Sequence, residues 1–185
     1  MDINEWINKR LPDVVAQLEK SMTATYDAHD EDGLDLAGRN AIYEVLDDLL
    51  AAIFPGSYAR ERVDRSEINF FLGDLLRHVS FRLGKHIRAV FRYRCIKDKC
   101  DNCSCEQRAD KALISLIESL PGIRAVLLED LQAAYEGDPA AKSLDEIILS
   151  YPCMEAIATH RIAHVLYTLD VPIIPRIMAE RAHSR

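Results

Sequence analysis

The sequence predicts an all-α protein, a multi-helix bundle of about seven to eight helices without a sheet. Apolar residues recur at intervals of three and four along most of the 185 residues, which places them on one face of a helix. Only 7 glycines and 7 prolines are present, and they lie between these periodic segments. No strand pattern is found, and no six-residue aliphatic repeat predicts a left-handed parallel β-helix.

The first periodic segment predicts a helix over about residues 4–22. Its apolar stripe consists of Trp6, Ile7, Leu11, Val14, Val15 and Leu18. Residues 27–38 contain five acidic residues and two glycines and are predicted to form a loop. We therefore expect one helical domain over residues 1–185, in which 1–38 is a loosely attached helix and acidic loop and 39–185 is the core.

Two helices are predicted between this loop and the cysteines. Helical spacing over residues 39–53 is followed by Phe54-Pro55-Gly56, which cannot continue a helix. Ser66 is expected to open a long helix that reaches about Tyr93. The expected buried stripe of that helix is Phe70, Leu72, Leu76, Val79, Leu83, Ile87, Val90 and Phe91.

The next two predicted helices are separated at a proline. The first covers about residues 106–118. The second begins with Pro121 in its first turn, where the missing amide proton would have had no partner anyway. Gly137 is expected to end it, because glycine readily adopts the left-handed geometry of a helix C-terminus.

The last three predicted helices each carry a start signal. Ser143 with Glu146 three residues later forms a capping box ahead of a short helix over residues 144–149. Pro152 begins a helix that reaches about residue 169, and Pro175 begins the final one.

The composition argues against nucleic-acid and membrane partners. The net charge of -7 is opposite to what a phosphate-binding surface needs. The basic residues between Arg77 and Arg94 alternate with apolar ones and indicate a solvated helix face. The N-terminus lacks a signal-peptide pattern, and no apolar run is long enough to span a bilayer. A cytoplasmic location is expected.

Four cysteines lie within eleven residues: Cys95, Cys100, Cys103 and Cys105. The two-residue gap between Cys100 and Cys103 allows both sulfur atoms to reach one tetrahedral ion. A Cys-x-Cys pair suits a single zinc poorly, and no second zinc-type pair follows. Two alternatives stay open, a structural zinc site and reduced, partly exposed thiols.

His160 and His164 are four residues apart and lie on one face of a predicted helix, where they could share a metal ion. No third ligand can be identified from the spacing. The pattern therefore favours packed, hydrogen-bonded imidazoles.

Three elements in the last third of the chain carry a resemblance to a known family. They are Gly137-Asp138-Pro139-Ala140, Ser150-Tyr151-Pro152 and Arg161-Ile162-Ala163-His164. Together they resemble the amino-terminal helical domain of serine acetyltransferase, which moves an acetyl group from acetyl-CoA to the serine hydroxyl in the first step of cysteine biosynthesis. The resemblance covers residues 120–184 and, more loosely, 46–94, where Phe54-Pro55-Gly56 looks like a family element.

The resemblance implies a role for Asp138 in binding the amino group of substrate serine. Pro139 disfavours helical geometry at the preceding residue, so the carboxylate is expected at the rim of the bundle. Asp130, eight residues earlier, matches an acidic position of the family, and we interpret it as a supporting salt-bridge residue. His164 would be an interior residue of a scaffold helix.

The family also implies what this chain leaves to other residues. Its histidine base and acetyl-CoA groove belong to a β-helix that is not found here, so the chain alone is expected neither to acetylate serine nor to bind a cofactor. Expected partners are further copies of the chain through helical faces, L-serine and acetyl-CoA in the intact enzyme, and O-acetylserine sulfhydrylase.

A second hypothesis comes from a different class of protein. The chain could be a freestanding helical interaction or regulatory module whose cysteine cluster binds zinc or senses redox state. Metal analysis of protein purified without added ions would discriminate, because only this hypothesis requires stoichiometric metal.

Overall fold

The structure is a computed structural model that describes residues 2–25, 34, 36, 38–100 and 104–183. The described residues form helices and no strand, which confirms the predicted all-α class. The helices in these ranges are α1 (Ile3–Lys9), α2 (Leu11–Thr25), α3 (Arg39–Ile53), α4 (Pro55–Tyr58), α5 (Ile68–Lys97), α6 (Cys105–Gly137), α7 (Leu144–Ser150), α8 (Pro152–Thr168) and α9 (Ile174–His183).

The chain divides into two compact units, Met1–Leu34 and Asp35–Arg185. In the first unit, the prediction of a single helix over residues 4–22 is wrong, because α1 ends at Lys9 and α2 begins at Leu11. Pro12 explains the break, since it cannot donate to the carbonyl of Asn8 and its ring would crowd that carbonyl. Most of the predicted acidic loop lies outside the described residues.

The core of the second unit is built around α3, which packs against α5 and α9 and also touches α6 and α8. The bounds of α3 match the prediction of residues 39–53. Its apolar stripe is fully buried and consists of Ile42, Val45, Leu46, Leu49 and Leu50.

Helix α5 buries five of the eight residues of its predicted stripe, and Leu72 and Leu76 are half-buried. Val79, Leu83, Ile87, Val90 and Phe91 are buried. Phe70 was expected in the core, but its side chain is 82% exposed. The reason is that the first turns of α5 border an open groove of about 620 Å³, which is also lined by Asp47, Asp48 and Tyr58.

Pro121 lies inside α6 and does not begin a helix, which corrects the predicted boundary between residues 118 and 121. Proline has no amide proton to donate to the carbonyl of Ile117. The helix nevertheless continues, because Leu120 before the proline and Ile123 after it are both buried on the same packed face.

The three C-terminal helices begin close to the predicted residues. Ser143 caps α7, its hydroxyl accepting from the Glu146 amide at 3.1 Å, while the Glu146 carboxylate accepts from the Lys142 amide at 2.8 Å. Pro152 occupies the first position of α8. Nowhere in the described ranges is a helix both long and apolar enough to cross a membrane.

Candidate substrate-binding site

Asp138 follows directly after α6 in extended backbone geometry, with φ of -118° and ψ of 103°. Pro139 keeps it there, since proline disfavours helical geometry in the residue before it. The side chain is half-buried. Its Oδ1 accepts from the Ala140 amide at 2.8 Å, and its Oδ2 accepts from the Tyr151 hydroxyl at 2.5 Å. The carboxylate therefore connects the end of α6 to the start of α8.

These two hydrogen bonds determine the charge of the pair. The Tyr151 hydroxyl, followed by the Ala140 amide, holds the pKa of Asp138 below its ordinary value of 3.8. The same bond raises the pKa of Tyr151 from 10.0 to about 12, with burial adding to the effect. Asp138 is therefore an anion and Tyr151 a neutral donor at neutral pH.

A small apolar cluster supports this site. Leu131 of α6, Ile147 of α7 and Met154 of α8 are buried against one another, and the side chains of Ala141 and Tyr151 pack on them. Because one residue comes from each helix, the cluster holds the two ends of the segment between α6 and α8 in place. Tyr151 was not singled out from the sequence, although it belongs to the Ser150-Tyr151-Pro152 element that carried the family resemblance.

Asp130 lies two turns before the site on α6 and pairs with Arg161 of α8. The guanidinium donates from Nε at 2.9 Å and from a terminal nitrogen at 2.7 Å to one carboxylate oxygen, and at 3.0 Å to the other. Both side chains are half-buried. Asp130 and Asp138 thus attach α6 to α8 at two places, and the oxygens of Asp130 are already engaged by an arginine.

His164 is exposed, so the prediction of an interior histidine is wrong. The buried face of α8 is occupied by its neighbours Ile162, Ala163 and Leu166. His160 is exposed as well, and its ring stacks on that of His164 with centroids 6.0 Å apart. Within the described ranges, no group of three or more His, Cys, Asp or Glu side chains could hold a metal ion.

The predicted four-cysteine set cannot be assembled from the described residues, because Cys103 lies outside them. Cys95 is a half-buried free thiol and Cys100 an exposed one. Burial, and then the neighbouring Cys100 thiol, raise the pKa of Cys95. Cys105 is bonded as a disulfide, so the expectation of reduced thiols does not hold at that position.

The curated proteins that this chain is similar to are serine acetyltransferases. No family model matches the chain. The plasmid serine acetyltransferase of Synechococcus elongatus is 30% identical over 179 residues, which covers 94% of this chain and 56% of that protein. The serine acetyltransferase of Synechocystis sp. is 41% identical over 56 residues, covering 30% of this chain and 22% of that protein.

Two solved structures from Entamoeba histolytica have a similar fold. Serine acetyltransferase isoform 3, in complex with cysteine, superposes with a TM-score of 0.61 at 23% identity and covers 94% of this chain and 57% of its own. Serine acetyltransferase 1, in complex with L-cysteine, gives a TM-score of 0.57 at 27% identity over 79% of this chain and 59% of its own. The chain thus spans little more than half the length of these proteins. The resemblance predicted from the sequence is confirmed.

Proposed function

We propose that this chain, a homologue of the serine acetyltransferases over 94% of its length, is the helical part of such an enzyme. The complete enzyme would transfer the acetyl group of acetyl-CoA to L-serine, the first step of cysteine biosynthesis. In this proposal the chain supplies one serine-binding carboxylate, that of Asp138, and contacts between copies. The similarity of 94% of this chain to part of a serine acetyltransferase is the observation that carries the proposal.

The chemistry of Asp138 suits the amino group of serine. The pKa of Asp138 lies below its ordinary value, so the carboxylate is charged at the pH at which serine carries an ammonium group. Each of its oxygens accepts one hydrogen bond within the protein, so each keeps a lone pair for a ligand. Asp130 is less suited, because Arg161 already binds both of its oxygens. We assign Asp130 a supporting role.

We expect the catalytic base and the acetyl-CoA groove of the family to lie in a part of the complete enzyme other than these 185 residues. A general base must come within hydrogen-bond reach of the proton it removes. We therefore expect the 185-residue chain alone to leave serine unacetylated. Serine acetylation well above background by the purified chain would contradict this expectation.

A chimera tests the function. In it, this chain replaces the aligned part of the Synechococcus elongatus plasmid enzyme, which provides the remaining 44% of that protein. We expect the chimera to acetylate serine, and Asp138→Asn to raise KM for serine on the order of tenfold or more, the effect of losing one charged contact. KM for acetyl-CoA should not change.

Asp145→Asn is the matched control, because Asp145 is an exposed carboxylate seven residues further along, in the first turn of α7. The control should behave as the parent chimera does. Equal KM values for serine in the Asp138→Asn and Asp145→Asn variants would remove Asp138 from the substrate site.

Contacts between copies are proposed through the apolar face of α1 and α2. Val15 and Leu18 are 54% and 52% exposed, and Ile3 is 67% exposed. Covering such side chains is favourable by about 25 cal/mol per Å² of apolar surface. Light scattering at micromolar concentration should show a dimer or higher oligomer that Leu18→Glu weakens, whereas Gln17→Glu, which adds the same charge beside it, should not. A strict monomer would contradict the proposal.

Binding to O-acetylserine sulfhydrylase and a cytoplasmic location are further expectations from the family. The freestanding zinc or redox module receives no support, since a curated relative that covers 94% of the chain is a serine acetyltransferase.

A further inference from the structure

We propose that Tyr151 is a positioning residue for the substrate-binding carboxylate of Asp138. Its hydroxyl orients Asp138 so that the free lone pairs of that side chain face the amino group of the ligand. The inference rests on the proposed serine-binding role of Asp138. It adds a residue that the family resemblance did not assign.

Two hydrogen bonds fix the geometry of the Asp138 carboxylate. An aspartate after a helix end can rotate about two side-chain bonds, and one hydrogen bond leaves one of these rotations free. Here the Ala140 amide holds Oδ1 at 2.8 Å, and the Tyr151 hydroxyl holds Oδ2 at 2.5 Å. Two donors on two different oxygens fix the plane of the group. Without Tyr151, only the Ala140 bond would remain of these two.

Tyr151 is itself held by its backbone and by its ring. Its amide donates to the carbonyl of Ile147 at 3.1 Å, and its carbonyl accepts from the amide of Met154 at 3.1 Å. Pro152 restricts the backbone before the helix that follows. The ring packs on the apolar cluster of Leu131, Ile147 and Met154. Because these contacts fix the position of the Tyr151 ring, its hydroxyl holds the Asp138 carboxylate in one defined position.

The Tyr151 hydroxyl is a hydrogen-bond donor at every pH near neutrality. Its pKa of about 12 keeps the hydroxyl protonated. A carboxylate on the other side of the bond has no proton to give, so the direction of the bond is settled. The hydroxyl therefore orients Asp138 without competing with it for the ammonium group of the ligand.

The alternative is that the hydrogen bond between Tyr151 and Asp138 only connects the end of α6 to the start of α8. Its loss would then lower the stability of the protein and leave its affinity for serine unchanged. A positioning role makes a different prediction: Tyr151→Phe, which keeps the ring and its packing, should raise KM for serine in the chimera described above several-fold, with KM for acetyl-CoA unchanged. Tyr167→Phe is the control, because Tyr167 lies on α8, the helix that begins directly after Tyr151, and is 71% exposed.

A second measurement needs no catalytic activity. In the 185-residue chain, NMR of ¹³C-labelled aspartate carboxyl groups reports the pKa of Asp138 directly. We expect Tyr151→Phe to move this pKa upward toward the ordinary value of 3.8, because the largest cause of its lowering is removed. Tyr167→Phe should leave it in place.

The outcomes separate this inference from the function on which it rests. A raised serine KM in both the Asp138→Asn and the Tyr151→Phe variants, with the Asp138 pKa shifted in the latter, supports it. A raised KM in the Asp138→Asn variant alone overturns the role of Tyr151 and leaves the proposed function standing. An unchanged KM in the Asp138→Asn variant overturns the proposed site and this inference together. An Asp138 pKa that does not respond to Tyr151→Phe overturns the positioning step whatever the kinetics show.

Discussion

Arg161 and Asp130 form a two-pronged ion pair between α8 and α6, with the closest nitrogen and oxygen atoms 2.7 Å apart. The planar guanidinium matches the carboxylate because both present two parallel hydrogen-bonding positions. The ammonium group of a lysine cannot reproduce that match. The pair therefore contributes to α6–α8 packing through its geometry as well as its charge.

From this pair we predict that Arg161→Ala lowers the free energy of unfolding by about 2 kcal/mol and Arg161→Lys by about 1 kcal/mol, since hydrogen bonds to charged groups contribute about 1.5–3 kcal/mol. Urea denaturation followed by circular dichroism measures both. Arg176→Ala, at an exposed position of α9, should change stability by less than about 0.5 kcal/mol. A lysine variant as stable as the parent would show that charge alone matters.

Gly84 is buried where α5 faces α6, and a β-carbon there would lie 3.1 Å from Cδ2 of Leu113. Gly73, on the same helix, is exposed and has open space at that position. We predict that Gly73→Ala stabilises the protein by about 0.5–1 kcal/mol through helix propensity. Gly84→Ala should gain less, because the end of the Leu113 side chain must move.

Leucine at the same two positions should give a larger difference between Gly84 and Gly73 than alanine does. Gly84→Leu should lower the unfolding free energy by about 1–3 kcal/mol through overpacking, whereas Gly73→Leu should be neutral or stabilising. Thermal unfolding of the four variants tests both statements. Equal effects at the two positions would mean that α5 and α6 are not in close contact at Gly84.

Arg181 is only 5% exposed and joins α9 to α3. Its guanidinium donates to the Tyr43 carbonyl at 2.7 Å and to Asp47, and it lies 5.3 Å from the centre of the Tyr43 ring. We predict that Arg181→Met lowers the unfolding free energy by about 2–4 kcal/mol, because the hydrogen bonds that this buried guanidinium donates to Tyr43 and Asp47 are lost. Arg176→Met, on an exposed part of the same helix, should have little effect in the same denaturation experiment.

The bond between Asp138 and Tyr151 predicts a pH window. Asp138 has a lower pKa folded than unfolded, so its contribution to stability is full above its ordinary value of 3.8 and is lost as pH falls through the folded pKa. Tyr151 has a higher pKa folded, so its contribution is full below 10.0 and is lost as pH rises through about 12.

The stability difference between the parent and Tyr151→Phe should therefore be constant from about pH 5 to 9 and should shrink on both sides. Denaturant midpoints measured across about pH 3–11 provide the test. In an Asp138→Asn background the acid-side change should disappear, because the titrating carboxylate is gone. A difference that stays constant down to about pH 3 would mean that the bond does not depend on the charge of Asp138.

Local signals were sufficient where they agreed with one another. The apolar stripe over residues 39–53 and the Phe54-Pro55-Gly56 stop predicted α3 correctly, and Ser143 with Glu146 predicted the start of α7. At Pro121 the local signal was misleading. One missing hydrogen bond did not stop the helix, since apolar burial continues on both sides of the proline.

The sequence by itself determined the helical class, most helix starts, the resemblance to the serine acetyltransferases and the position of Asp138 just past a helix end, because these depend on residues within a few positions of one another. Only the tertiary structure decided that Tyr151 holds Asp138, that Arg161 holds Asp130 and that Phe70 and His164 face outward. The physical reason is that the partners are 13 and 31 residues apart, and whether a face is covered depends on the helices packed against it.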